Sequence, residues 1–170
     1  MERWLEIAAA EQGVHEYANG DHPRIIEYLQ TVDLPGEMHD EIAWCSAFAN
    51  WVMTQAGIEG TGSATAVSWL KWGKPITLPM IGAVVVLRRG DPSWQGHVGF
   101  VWGVTRNGVL VLGGNQANAV NICEYPFDRV RGYRWPRTAG DEPVRMMPIA
   151  HIAPPEPRKT WRSLWGLLPA

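Results

Sequence analysis

The sequence predicts an α+β domain: helices gathered in the first 71 residues, then an antiparallel sheet of about five strands. Two observations carry this. Apolar residues recur at helical spacing up to "SWLKWG", and from "IGAVVVLRRG" onward the chain breaks into short β-branched runs bounded by glycines and turns. The two patterns do not alternate, so a parallel βαβ arrangement is not expected.

Residues 3–12 form an amphipathic pattern that stops near Gly13. "NGDHPRIIEYLQTV" predicts a second helix, with Asp21 as N-cap, Pro23 in the first turn and Ile25, Ile26 and Leu29 on one face. "DLPGEMHDE" is a polar turn region. A third helix is expected from Cys45 to Ala56, with Phe48, Val52 and Trp51 inward and Gly57 as its stop. A short fourth follows over 64–71, carrying Val67 and Leu70. The strands are then "IGAVVVLRRG", "HVGFVWGVT", "VLVLGGN", "AVNICEY" and "VRGYRWP", the second and third joined by the tight "RNG" turn.

Bulk properties narrow the function. The 170 residues suit one domain, here 1–136, followed by a proline-rich tail or strap over 137–170. A net charge of −2 and a pI near 6.2 give no electrostatic footprint for nucleic acid. No window of about 18 apolar residues is present, so no membrane span is expected. The tail is short and only weakly basic, so support for membrane contact by it is thin. "MERWLEIAAAEQG" has no basic n-region and no long apolar core, and synthesis in the cytoplasm without a signal peptide is expected. The two cysteines, Cys45 and Cys123, do not make a disulfide scaffold. The histidines have no metal-ligand spacing, so neither metal nor cofactor is expected.

The chemistry gathers on Cys45, His97 and Asn115. Cys45 falls at the start of a helix, where unpaired N–H groups favour an anion and lower a thiol's pKa. His97 opens a strand between Gly96 and Gly99. The neighbouring strand ends in "LGGNQ", and across a hairpin that end lies beside the start of its partner, within reach of the His97 ring. A thiolate attacks an amide carbonyl, an imidazole moves the proton, and an amide side chain holds the ring. The order Cys…His…Asn is the papain-like one. Cys123, in an alternating strand, is expected in the core. The ten tryptophans serve mostly as core, with Trp69 and Trp72 at i, i+3 in "SWLKWG" as alternative walls of a substrate groove.

"DEIAWCSAFANWV", "SWLKWG", "GHVGF" and "LGGNQ", in that order, resemble the NlpC/P60 and CHAP superfamily, and within it a branch common among phage and prophage lysins. The resemblance covers residues 3–136. It implies a papain-like fold and cleavage of a peptidoglycan amide, either the muramoyl–L-Ala bond or one inside the stem peptide. Carried over, Cys45 is the nucleophile, His97 the base and Asn115 the third polar residue. Trp44, Gln116, Trp69 and Trp72 are expected toward substrate. Many CHAP domains carry a Glu two residues before that Asn; here the position is Gly113, so the third role falls to Asn115 or to Gln116. The acidic residues Asp33, Glu37, Asp40 and Glu41 do not match the calcium loop of some CHAP domains. The expected enzyme acts as a monomer, on the wall, after passing a pore or a secretion apparatus. An antibacterial effector of the same chemistry, a non-catalytic wall-binding module, and an intracellular cysteine peptidase or acyltransferase are the alternatives.

Overall fold

A computed structural model describes residues 1–36, 38–40, 42–90 and 95–137. The tail, apart from Arg137, lies outside the described residues, as do Glu37 and Glu41 of the acidic turn. Helices α1 (Arg3–Ala10), α2 (Pro23–Leu29) and α3 (Cys45–Gln55) precede a six-stranded antiparallel sheet. Its strands are β1 (Lys74–Ile76), β2 (Val84–Arg88), β3 (Gly96–Val104), β4 (Gly108–Gly113), β5 (Asn121–Pro126) and β6 (Val130–Trp135), in the spatial order β1-β6-β2-β3-β4-β5. This is the papain-like α+β layout, with one strand more than expected. The extra strand is β1, three residues centred on Pro75. A proline belongs on a sheet edge, and β1 is the edge beside β6.

Two local expectations change. Residues Ala66–Lys71 form a 3₁₀-helix and not an α-helix. The N-cap of α2 is His22, whose Nδ1 accepts from the Arg24 N–H at 3.1 Å. Asp21 instead accepts from the Asp40 N–H at 2.9 Å, while Asp40 accepts from the His22 N–H at 2.9 Å. This reciprocal clip holds the chain on its way into α3. Gly57, at φ +76°, ends α3 as expected.

Helix α3 is the central element, buried at Cys45 through Asn50 and at Val52 and Met53. Phe48 and Val52 pack inward, whereas Trp51 is half-buried beneath the Arg24 guanidinium and against Tyr28. Trp44, just before the helix, is wholly buried and donates from Nε1 to Glu16 at 2.8 Å. Truncating a buried aromatic of this size costs about 3–5 kcal/mol, so Trp44 fixes where Cys45 sits. The fit is tight: a Cβ on Gly114, at the end of β4, would collide with the Trp44 ring and Phe48.

Candidate active site

Helix α3, which begins at Cys45, packs on β3, which carries His97 at its start. Cys45 is 5% exposed, and the backbone N–H groups of Val98, the residue after His97, and of Ser46 in its own first turn favour its thiolate form. His97 is 6% exposed. Its Nε2 lies 3.1 Å from Gln116 Oε1.

The surroundings of Gln116 settle which way its amide points. Its Nε2 donates toward Val111 O at 3.2 Å, Asn121 O at 2.7 Å and Asn121 Oδ1 at 3.0 Å. Asn121 Nδ2 in turn donates to Gln116 O at 2.8 Å. With acceptors packed around the amide nitrogen, Oε1 must face the ring, and an oxygen only accepts. Ring Nε2 therefore carries the proton, which leaves Nδ1 as the basic nitrogen.

The amide on the ring is thus that of Gln116, one of the two alternatives read in the sequence. Asn115, half-buried, sits one residue earlier at φ +57°, and Ala117 and Asn118 also have positive φ. For residues other than glycine this is strained backbone. It is held by hydrogen bonds to the N-terminal segment, Glu16 N to Asn118 O and Val120 N to Val14 O. Gly113 leaves the room: a Cβ there would lie 3.3 Å from His97 Nε2 and 3.4 Å from the Gln116 amide.

Two of the tryptophans expected against substrate are core. Trp44 and Trp69 are wholly buried and offer no surface to a ligand. Trp69 Nε1 donates to Ser46 Oγ at 2.9 Å, so it braces the first turn of α3 from beneath. Trp72 is half-buried, its Nε1 on Glu59 O at 2.9 Å, and lines a hollow of about 340 Å³ with Ile58, Gly60, Lys71 and Arg137. None of the residues lining that hollow is Cys45 or His97. Cys123 is half-buried and not in the core; its thiol donates to Asn121 Oδ1 at 3.1 Å. Neither cysteine is in a disulfide.

The sequence did not single out Asn121, Tyr125, Arg89 or Arg129. The Tyr125 ring centroid is 5.6 Å from that of His97. Asn121, Cys123 and Tyr125 follow the two-residue period of β5, and that alternation was the one available signal.

The electrostatics run against the expected thiolate. Burial raises the Cys45 thiol, and the N–H groups of Val98 and Ser46 oppose this without cancelling it. Burial depresses His97 to about 4; its hydrogen bond to Gln116 pulls the other way, and the charges of Arg89 and Arg129 lower it further. The resting pair is a neutral thiol and a neutral imidazole.

His97 consequently makes the fold acid-sensitive. The unfolded ring binds a proton near pH 6.5 and the folded one near 4, so the unfolded state holds more protons between these values. This contribution is fully present above about pH 6.5 and is lost as pH falls toward 4, on the order of 3 kcal/mol in all. Urea midpoints measured from pH 7 to pH 4 should fall in wild type. The fall should be visibly shallower in His97→Phe; equal slopes would refute the buried neutral imidazole.

A cysteine at a helix N-terminus, a histidine on the adjoining strand and an amide locked on its far nitrogen stand together on a papain-like α+β scaffold. Residues 37–115 match the family model of the CHAP domain. That span contains Cys45, His97 and Asn115 and stops one residue before Gln116. Among solved structures, the chain is similar to the wild-type endolysin LysIME-EF1, with a TM-score of 0.51 and 18% identity over 80% of this chain and 64% of that one. It is also similar to an NLP/P60-family protein, described as similar to a lipoprotein, from Staphylococcus aureus subsp. aureus Mu50. There the TM-score is 0.48, with 15% identity over 78% of this chain and 40% of the other. The chain thus spans less than two thirds of either protein, and at these identities the likeness concerns the fold. Comparison with curated proteins gave no match.

Proposed function

We propose that this chain is a peptidoglycan hydrolase that cleaves an amide bond through Cys45, His97 and Gln116. The observation that carries the reading is the locked His97 ring. Gln116 accepts from Nε2 and leaves Nδ1 as a base, on the strand whose next N–H favours the Cys45 thiolate. A buried structural cysteine has no need of that arrangement. The CHAP match and the fold shared with an endolysin support the wall as substrate.

The steps follow from the neutral pair. As the scissile carbonyl enters, Nδ1 takes the thiol proton and the sulfur attacks the carbonyl carbon. The first-turn N–H groups of α3, carrying the positive end of the helix, stabilise the oxyanion. The imidazolium gives its proton to the leaving nitrogen, and the amine departs. Water then cleaves the thioester with Nδ1 again as base, and releases the acid and the free thiol. Asn121 keeps the Gln116 amide turned the right way throughout.

Digestion of purified walls of several chemotypes by the full chain, with soluble products weighed by mass spectrometry, tests this. Fragment release is expected. Sugar-free stem peptides would identify the muramoyl–L-Ala bond, and shortened stems still attached to sugar an internal peptide bond. No release from any wall would overturn the reading.

A further inference from the structure

The reaction above leaves a group of cations without a task. Leu87 pairs with His97 across β2 and β3, and Arg88 with Gly96, so Arg88 and Arg89 leave the sheet where His97 enters it. Arg129 returns to the same end. Its Nε and Nη2 donate to the Arg88 carbonyl at 3.1 and 2.9 Å. Its guanidinium carbon lies 5.0 Å from the centre of the Tyr125 ring, the ring that stands against His97. Arg129 is therefore pinned, on the same aromatic ring that the imidazole stands against. Arg89 is exposed, and its charge is felt at both Cys45 and His97.

Among the described residues, the ion pairs join Arg24 to Glu11 and Glu27, and His39 to Asp21; none neutralises Arg88, Arg89 or Arg129. This matters because His97 must become a cation during turnover, and like charges oppose that. An anion delivered with the substrate would remove the opposition at the moment the base is needed.

We propose that Arg129 and Arg89 form a carboxylate subsite at the edge of the catalytic centre, filled by the free α-carboxylate of the γ-linked D-Glu in a peptidoglycan stem. The identity of the ligand rests on the wall-hydrolase reading. Guanidinium groups match carboxylates in shape as well as charge. That carboxylate lies within about two residues' span, ~7 Å, of the muramoyl–L-Ala bond and of the peptide bonds around D-Glu. It is also the group that distinguishes walls with free D-Glu from walls in which it is amidated. Filling the subsite anchors the stem and makes His97 a better base, so the preference should appear in kcat as well as in KM.

The test compares two soluble muropeptides, disaccharide–L-Ala–γ-D-Glu–diaminopimelate–D-Ala and its twin with a carboxamide in place of the D-Glu α-carboxylate. Wild type should favour the carboxylate by about 10-fold or more in kcat/KM, and raised salt should narrow the gap. Arg89→Gln, which removes no hydrogen bond among the described contacts, should shrink the preference, and adding Arg129→Gln should bring it to within about 2-fold. Arg129→Lys should retain part of it. Equal turnover of the twins by wild type, or an unchanged preference in the double variant, overturns the subsite. Binding of both twins to Cys45→Ala, followed by calorimetry, separates the two ideas. Discrimination in binding without turnover in wild type keeps the subsite and sinks the hydrolase reading, and turnover without discrimination does the reverse. A full chain that neither binds nor cleaves either twin removes both.

Discussion

Cys45→Ala should lower wall turnover by roughly 10⁴-fold or more while leaving the fold intact. The side chain is buried among apolar neighbours, and removing one sulfur costs on the order of 1 kcal/mol of stability, a shift of a few degrees in Tm. Loss of activity at a nearly unchanged Tm would separate a nucleophile from a packed thiol. Activity within 10-fold of wild type would end the covalent mechanism. The same thiol should react slowly at rest. With Cys45 raised and His97 neutral, iodoacetamide at pH 6 should label Cys45 no faster than a model thiol, and the rate should climb with pH. Fast labelling at pH 6 would instead indicate a preformed thiolate–imidazolium pair.

The gap between that resting state and the sequence expectation has a physical cause. Position in a helix is readable from "AWCSAF", and the helix starts at Cys45 as expected. Burial is a tertiary property. Trp44, Phe48 and β3 close around the sulfur, and desolvation then outweighs the helix terminus. The same distinction runs through the rest of the chain. Glycine-bounded, β-branched runs gave the central strands, because period and composition are local. The edge strand β1 was missed because "KPI" has neither, and only its pairing with β6 makes it a strand. "SWLKWG" puts Trp69 and Trp72 on one helical face, as core or as a groove wall, but the 3₁₀-helix turns Trp69 under α3 and leaves Trp72 half-buried. Cys45 and His97 were legible as a pair because topology alone, a helix start against a hairpin, brings them together. Asn121, Tyr125 and Arg129 were not, since their meaning depends on the register of β5 against β4 and on a loop that folds back to Arg88.

Gln116→Leu should reduce kcat by about 10²-fold or more, with a much smaller change in KM. The substitution keeps the volume and removes the only acceptor described on ring Nε2. The ring would then be free to place its proton on Nδ1, where it can no longer act as a base toward Cys45. Histidine ¹⁵N shifts report the tautomer directly: wild type should show a protonated Nε2, and the variant a mixture. Gln116→Glu offers a sharper contrast. A carboxylate can accept from Nε2 as the amide does, and it also favours the imidazolium, so it should restore part of the activity while raising the His97 pKa from about 4. The acid limb of the activity profile should move up with it. Asn115→Ala, by comparison, removes no hydrogen bond to the ring, and turnover within about 3-fold of wild type is expected. If Asn115→Ala is the damaging change and Gln116→Leu the silent one, the ring is held from the other side of the loop in the working enzyme. The strained turn at Asn115, Ala117 and Asn118 would then have to reorganise on substrate binding.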